Sequence, residues 1–353
     1  MESLTAVVLA AGQGTRMKSQ WPKVLHKVCG VPMAEQVIRT VKKAGSEKCV
    51  VVTGFKEELV RESLAGENIY FVHQEEQLGT AHAVMQAVPL FKDNRDGYVL
   101  VVCGDTPLLC RETIEGLVRA CRDHDGAAAV LTAIMDNPFG YGRVLRDAKG
   151  HMISIVEQKD GTPDQLAVHE INTGTYVFKT GALLDSLEKV DNKNAQGEYY
   201  LTDVFEILIK AGRKVIPVAA EDASETMGVN SRIQLAEADR ILRIRKAEDL
   251  MAAGVTVTDP YSTYIEQDVE VGQDTVILPG TMLQGKTKVG KNCTLGPDTQ
   301  LTDVICGDGN HLNRVYAHSC ELGDNNEIGP FVHLRPETCL HNDIKIGNFV
   351  EVK

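Results

Sequence analysis

The hydrophobic positions change period once along the chain, and the change divides it in two. Up to about Pro217, short β-branched runs alternate with stretches whose apolar residues recur at helical spacing. Residues 5–11, 49–53, 69–73, 98–103 and 128–134 read as strands, and residues 33–44 and 80–88 as amphipathic helices between them. This alternation predicts βαβ crossovers and a Rossmann-like α/β domain with a mainly parallel sheet covered on both faces. In such sheets ligands bind at the carboxyl ends of the strands, so candidate chemistry is sought there.

Residues 231–253 contain neither Pro nor Gly, keep near-helical apolar spacing from Ile233 to Met251, and stop at Gly254. With Asn230 or Ser231 as cap, they predict one connecting helix of about 35 Å. Beyond it apolar residues fall every six positions, at Ile265, Val271, Ile277, Leu283, Val289, Leu295 and Leu301, and again from Leu322 to Ile346. A strand repeats at about 2 and a helix at about 3.6, so a period of six means short strands turning corners in a stacked parallel β-helix. Leu301 and Leu322 are 21 residues apart, which breaks the register and suggests a loop between them. The domains expected are therefore 1–230, a linker helix 231–254 and a β-helix 255–353.

Composition narrows the function. A net charge of −12 over 353 residues disfavours nucleic-acid binding, and no apolar stretch reaches the roughly 20 residues of a membrane span. The start Met1-Glu2-Ser3-Leu4 lacks a basic leader, so a cytoplasmic protein is expected. Nine cysteines without a CxxC pair suggest reduced, buried thiols, and ten scattered histidines give no metal-ligand spacing.

The first strand runs into Gly12-Gln13-Gly14-Thr15-Arg16-Met17, followed by Pro22-Lys23. Glycines at a strand exit let backbone N–H groups approach phosphate oxygens, and residues 1–30 carry a local +3. The same pattern also makes an ordinary turn, and it fits neither GxGxxG nor the P-loop. Asp105 follows the apolar run 98–103 at a strand exit, where a carboxylate suits Mg2+ and substrate phosphates. Asn230 reads as a helix cap and Glu157 as a solvated side chain when each is taken alone.

Leu9-Ala10-Ala11-Gly12-Gln13-Gly14-Thr15-Arg16-Met17 with Pro22-Lys23 resembles the signature loop of the sugar-phosphate nucleotidylyltransferases. Gln74-Glu75-Glu76-Gln77-Leu78-Gly79-Thr80, Gly104-Asp105-Thr106-Pro107, Gly140-Tyr141-Gly142-Arg143, Glu170-Ile171-Asn172-Thr173-Gly174, Gln196-Gly197-Glu198-Tyr199-Tyr200-Leu201-Thr202-Asp203 and Gly228-Val229-Asn230 extend the resemblance. With the hexad repeat, the whole chain resembles the bacterial bifunctional family that joins N-acetylglucosamine-1-phosphate uridylyltransferase to glucosamine-1-phosphate N-acetyltransferase.

The resemblance implies Mg2+-dependent transfer of UMP from UTP to N-acetylglucosamine-1-phosphate, giving UDP-N-acetylglucosamine and pyrophosphate for peptidoglycan and lipopolysaccharide synthesis. It implies Arg16 and Lys23 as catalytic residues holding phosphate charge, and Asp105 and Asn230 as metal ligands. Leu9, Ala10, Ala11, Gly12, Cys103 and Gly104 would line the substrate site. Gln74, Gly79 and Thr80 would read uracil, and Gly142, Glu157 and Asn172 would hold the sugar. The C-terminal domain would be a left-handed β-helix, assembled as a homotrimer. Arg335 and Lys353 would contact the sugar phosphate of an acetyl-CoA-dependent second site. The end at Lys353 leaves that helix uncapped, so a C-terminally truncated chain without the acetyltransfer activity is expected. The rival readings are another sugar-1-phosphate nucleotidylyltransferase, such as one making ADP-glucose, or a catalytically silent regulatory homologue.

Overall fold

The computed structural model describes residues 3–66 and 68–353. It separates into two compact units, one of residues 1–26 and 32–235, the other of residues 27–31 and 236–353. Residues 27–31, inside the range read as the first domain, thus belong with the second. The amide of Cys29 donates to Asp239 Oδ1 at 2.8 Å, and Gln267 N donates to Cys29 O at 2.9 Å.

In the first unit the sheet runs Val215–Ala219, Ala128–Ile134, Glu170–Lys179, Tyr98–Cys103, Leu4–Leu9, Lys48–Thr53, Ile69–His73. All five expected strands are present, the first ending at Leu9 rather than Ala11. They pair in parallel except around Glu170–Lys179, which is antiparallel to both neighbours. Alternate side chains feed two cores: Val7, Val50 and Val101 lie on one face, Ala6, Val51 and Val102 on the other. Burial on both faces is why the four inner strands among them read as continuous apolar runs, whereas the edge strand Ile69–His73 is only half-buried. Glu170–Lys179 was less legible because its register shifts between Asn172 and Tyr176, where polar residues interrupt the apolar pattern. A hairpin of Arg143–Arg146 and Met152–Val156 joins the sheet beside it.

The linker helix spans Arg232–Ala252. Its cap is Ser231: the hydroxyl accepts from Gln234 N at 3.2 Å, while Gln234 Oε1 accepts from Asn230 N at 2.8 Å. The backbone end is thereby satisfied without the Asn230 side chain.

The second unit is a left-handed β-helix of three parallel sheets with six, six and five strands. Leu283, Leu295, Leu301 and Leu312 are fully buried along its axis. The β-branched positions of the repeat also have a cause. Thr275, Thr287 and Thr299 are fully buried. Their hydroxyls accept from the amides of Cys293, Val304 and Val315 on the next coil at 3.1, 3.2 and 3.3 Å. Each also donates to a carbonyl, as Thr275 does to Gly290 O at 2.9 Å, so the corner polar groups are paired inside the prism.

The glycines after the apolar positions answer to space. A Cβ at Gly290 would lie 2.2 Å from Asp308 Oδ1, which accepts from Lys291 N at 2.7 Å. The same ladder continues from Asp308 N to Asp324 Oδ1 and from Asp324 N to Asn342 Oδ1, both at 2.8 Å.

The register break corrects the expectation of a loop. Val289 pairs with Cys306 and Leu295 with Leu312, both steps of 17 residues. Leu301 pairs with Ala317 and Cys306 with Leu322, steps of 16 rather than 18. The 21 residues from Leu301 to Leu322 are corners tightened by single residues, with Cys306, Leu312 and Ala317 filling the interior. The cysteines are free thiols; six are buried, Cys103 and Cys110 are half-buried, and Cys339 is exposed, against the expectation that all are interior. Among the described residues no helix is long and apolar enough to cross a membrane.

Candidate functional site

Leu9 is in register with Cys103, so the two central strands release Ala10–Gly12 and Gly104-Asp105 side by side. Gly104 N donates to Leu9 O at 2.9 Å and locks the two exits together. Over them lies a cavity of about 350 Å³. Leu9, Ala10, Ala11 and Gly12 line it with Lys23, Gln74, Gly79, Thr80, Cys103 and Asp105, so residues distant in sequence meet as expected. Gly104 is buried beneath and sets the backbone path.

Lys23 begins a short 3-10 turn after Pro22. Its ammonium donates to Asp105 Oδ2 and, at 3.0 Å, to Asn230 Oδ1. Both ion-pair partners are largely buried, so the charge of each is answered by the other. Gly14 makes this approach possible: its φ is +69°, and a Cβ there would lie 2.5 Å from Lys23 Cβ. The two readings of Asn230 separate here, since Ser231 caps the helix and the Asn230 oxygen faces Lys23.

That arrangement bears on a metal. Among the described residues no three His, Cys, Asp or Glu side chains gather as a metal site. Asp105 and Asn230 instead offer two hard oxygen donors converging on one positive charge, the ammonium of Lys23. A pair of oxygens with room for phosphate and water suits Mg2+, which is seldom held by protein ligands alone.

Gly142, Glu157 and Asn172 do not line the same cavity but form an adjoining group. Asn172 N donates to Gly142 O at 2.9 Å, and a Cβ on Gly142 would lie 3.4 Å from both Glu157 oxygens. Burial pushes the Glu157 carboxyl above its ordinary range, partly offset by the Thr202 hydroxyl, which donates to it at 3.2 Å. It is therefore no solvated turn residue. Asn172 Nδ2 donates to the Tyr176 hydroxyl at 2.8 Å, and burial holds that phenol far from ionising.

Three expected residues stand apart. Arg16 is exposed and does not line the cavity, although its charge is felt at the Tyr141 hydroxyl. Arg335 and Lys353 belong to the second unit, where Arg335 Nε donates to Glu351 Oε1 at 2.7 Å. That hydrogen bond, with Lys353 and His333 nearby, holds the Glu351 carboxyl below its ordinary range.

Residues that sequence reasoning passed over also take part. Gln77 Nε2 donates to Ala11 O at 2.7 Å, and Gln77 and Glu198 both line the cavity. Tyr141 is held neutral by burial, faces the backbone of Gly228 and lies within reach of the Asp105 charge. Their only signal was membership of the quoted motifs.

The nucleotidyl transferase family model matches residues 5–229. The chain is 49% identical over 348 residues to the bifunctional protein GlmU of Geobacillus sp. strain WCH70, and 50% identical over 348 residues to that of Geobacillus thermodenitrificans; each alignment covers 99% of this chain and 75% of the relative. Against the bifunctional protein GlmU of Listeria monocytogenes EGD-e it is 47% identical over 353 residues, covering 100% of this chain and 77% of the relative. The chain belongs to the bifunctional GlmU family.

As a GlmU-family chain it carries its nucleotidyl transferase region, residues 5–229, almost wholly within the first compact unit. The remaining quarter of those GlmU relatives has no counterpart in the alignments, which do not bear out the expectation of truncation.

Proposed function

We propose that the first unit transfers the uridylyl group of UTP to N-acetylglucosamine-1-phosphate, releasing pyrophosphate, with Mg2+ as the metal. The observation that carries this reading is the Lys23 ammonium bridging Asp105 and Asn230 at the mouth of a glycine-rich strand exit. A cation and two oxygens grouped in this way would meet a triphosphate entering there.

In this reading the sugar-phosphate oxygen attacks the α-phosphorus in line, opposite the departing pyrophosphate. A phosphate monoester is already ionised, so no general base is needed, and catalysis consists of positioning and charge neutralisation. Asp105 and Asn230 would hold Mg2+, which when bound neutralises phosphate charge as a Lewis acid. Lys23 then turns its ammonium from these two oxygens to the phosphates. The backbone of residues 10–12 approaches the nucleotide, and Gln74 with Gly79 meets the uracil edge. Gly142, Glu157 and Asn172 receive the sugar, the half-buried Glu157 carboxyl accepting from a hydroxyl. Arg16, exposed beside the loop, would act only by closing toward the triphosphate.

The β-helix is read as the assembly element of a homotrimer. Phe331 and Phe349 stack at 5.3 Å between centroids while both stay exposed, next to exposed Tyr316. Aromatic surface of this kind is usual where copies meet. Arg335 and Lys353 are read as anion contacts of an acetyl-CoA-dependent second function, and the use of UTP goes with a cytoplasmic location.

Pyrophosphate release from UTP, assayed with a panel of sugar-1-phosphates, tests the reading. N-acetylglucosamine-1-phosphate is expected to exceed the others in kcat/KM by at least about tenfold; turnover with ATP and glucose-1-phosphate instead would replace it. Sedimentation equilibrium at micromolar concentration tests the trimer, and a monomer would exclude it. Acetyl-CoA consumption with glucosamine-1-phosphate measures how much of a second function residues 1–353 carry.

A further inference from the structure

Gln74 is 4% exposed and its amide nitrogen has two protein partners. It donates to Gly79 O at 3.1 Å and approaches His82 Nδ1 at 3.0 Å. A carbonyl oxygen can only accept, so Gly79 fixes which end of the Gln74 amide is the nitrogen. The second amide hydrogen then points at His82 Nδ1, and the contact is favourable only if that nitrogen carries no proton.

On the other side of the ring, Gln86 Nε2 lies 3.2 Å from His82 Nε2 and also donates to His82 O at 3.1 Å. A neutral imidazole has one lone pair for two amide donors, so one contact must yield. Gln86 is half-buried and can turn its amide to water, whereas Gln74 is buried and cannot. Leaving a buried donor facing another donor costs about 1–3 kcal/mol, far more than rehydrating an accessible amide. The balance selects the imidazole with the proton on Nε2 and the lone pair on Nδ1.

We propose that His82 is a positioning residue for nucleobase choice: by accepting from Gln74 it commits both amide hydrogens to the protein and leaves the carbonyl oxygen as the only group of the Gln74 side chain offered to the base. An acceptor at that place suits a base whose ring nitrogen carries a proton, as in the imide of uracil. It opposes cytosine, whose corresponding nitrogen presents a lone pair. The inference rests on the reading of the first unit as a uridylyltransferase and adds what fixes its selectivity. His82 does not line the cavity itself; it acts through Gln74, while its ring packs 6.5 Å from that of Tyr199.

The test compares kcat/KM for UTP and CTP, with the same sugar phosphate and metal, in the full chain and in His82→Phe and His82→Asn. Phenylalanine keeps the ring and removes the acceptor; asparagine restores an oxygen near the position of Nδ1. The ratio of UTP to CTP is expected to fall about tenfold in His82→Phe, the size of one mispaired hydrogen bond, through KM for UTP more than through kcat. His82→Asn is expected to recover most of it. A merely structural loss would weaken both nucleotides together. An unchanged ratio in His82→Phe, or no recovery in His82→Asn, overturns the proposal, and if His82→Phe does not fold, His82→Ala is read in the same way. Failure of the parent chain to use UTP with any sugar phosphate would instead remove the underlying reading, a result distinct from an unchanged ratio.

Discussion

The two units solve the problem of specifying structure in opposite ways. In the β-helix, each interior position is set by a neighbour one coil away, and strands of two to four residues suffice because every coil repeats the last. In the nucleotidyl transferase unit, the central contact joins Lys23 to partners 82 and 207 residues distant. A periodic fold writes itself in the spacing of the sequence, whereas a site at strand exits depends on topology. The first should therefore fail by loss of stability and the second by loss of chemistry.

The largest effect expected is at Asp105. Asp105→Ala removes a candidate metal ligand and the partner of Lys23, and should lower uridylyl transfer by about 10³-fold or more at saturating Mg2+. Pyrophosphate release measures it, and the melting temperature should move by only a few degrees. Wild-type turnover in this variant would dissolve the contrast between the units.

Leu312→Ala should show the opposite signature. It opens a hole in a fully buried column and is expected to cost about 3 kcal/mol in denaturant unfolding of the second unit. Turnover per folded molecule should stay unchanged. A drop in kcat without a loss of stability would mean that the division of labour drawn here is wrong.

Asn230→Ala sharpens the comparison within the site. Because Ser231 caps the helix, the substitution should leave stability nearly intact and raise the Mg2+ concentration for half-maximal activity by about tenfold. A stability loss with an unaltered Mg2+ requirement would return Asn230 to the role of cap.

The smallest effect concerns pH. Burial first, then Glu206, Asp191 and Asp160, push the Asp203 carboxyl from 3.8 up to about 6. Its folded form is thus protonated more readily than its unfolded form. The favourable contribution is complete below about pH 4 and is lost as pH rises through about 6. Asp203→Asn should therefore raise the melting temperature at pH 7.5 by about 2 °C relative to its effect at pH 4, a small value because the group is half exposed. Equal shifts at both pH values would show that the carboxyl is not destabilised by its surroundings.

The legibility of the sequence follows the same division. The β-helix could be read from its period alone, down to the interior column, and only the cause of the register break was mistaken. A loop and a run of shortened corners leave the same gap in an apolar pattern. The inner strands of the first unit were legible because burial on both faces makes them mostly apolar. Glu170–Lys179 was not, since a register shift and the polar run Asn172-Thr173 interrupt its apolar pattern.

The site itself was legible only as a resemblance. Nothing local distinguishes Asn230 from a cap or Glu157 from a surface acid; what distinguishes them is Ser231 taking over the cap and Thr202 reaching Glu157 from 45 residues away. Arg16 shows the converse: a motif can name a residue that the folded chain leaves outside the cavity.

The tightened corners between Leu301 and Leu322 have one further consequence. Stacked strands advance by about 4.8 Å per coil regardless of how many residues a coil contains. Dropping a residue at a corner therefore reduces the girth of the prism and leaves its height unchanged. Chain length and axial length are uncoupled, and a deletion in one coil does not displace the coils above and below it. The β-helix works as a ruler graduated in coils, and its graduations survive changes in the amount of chain spent on each.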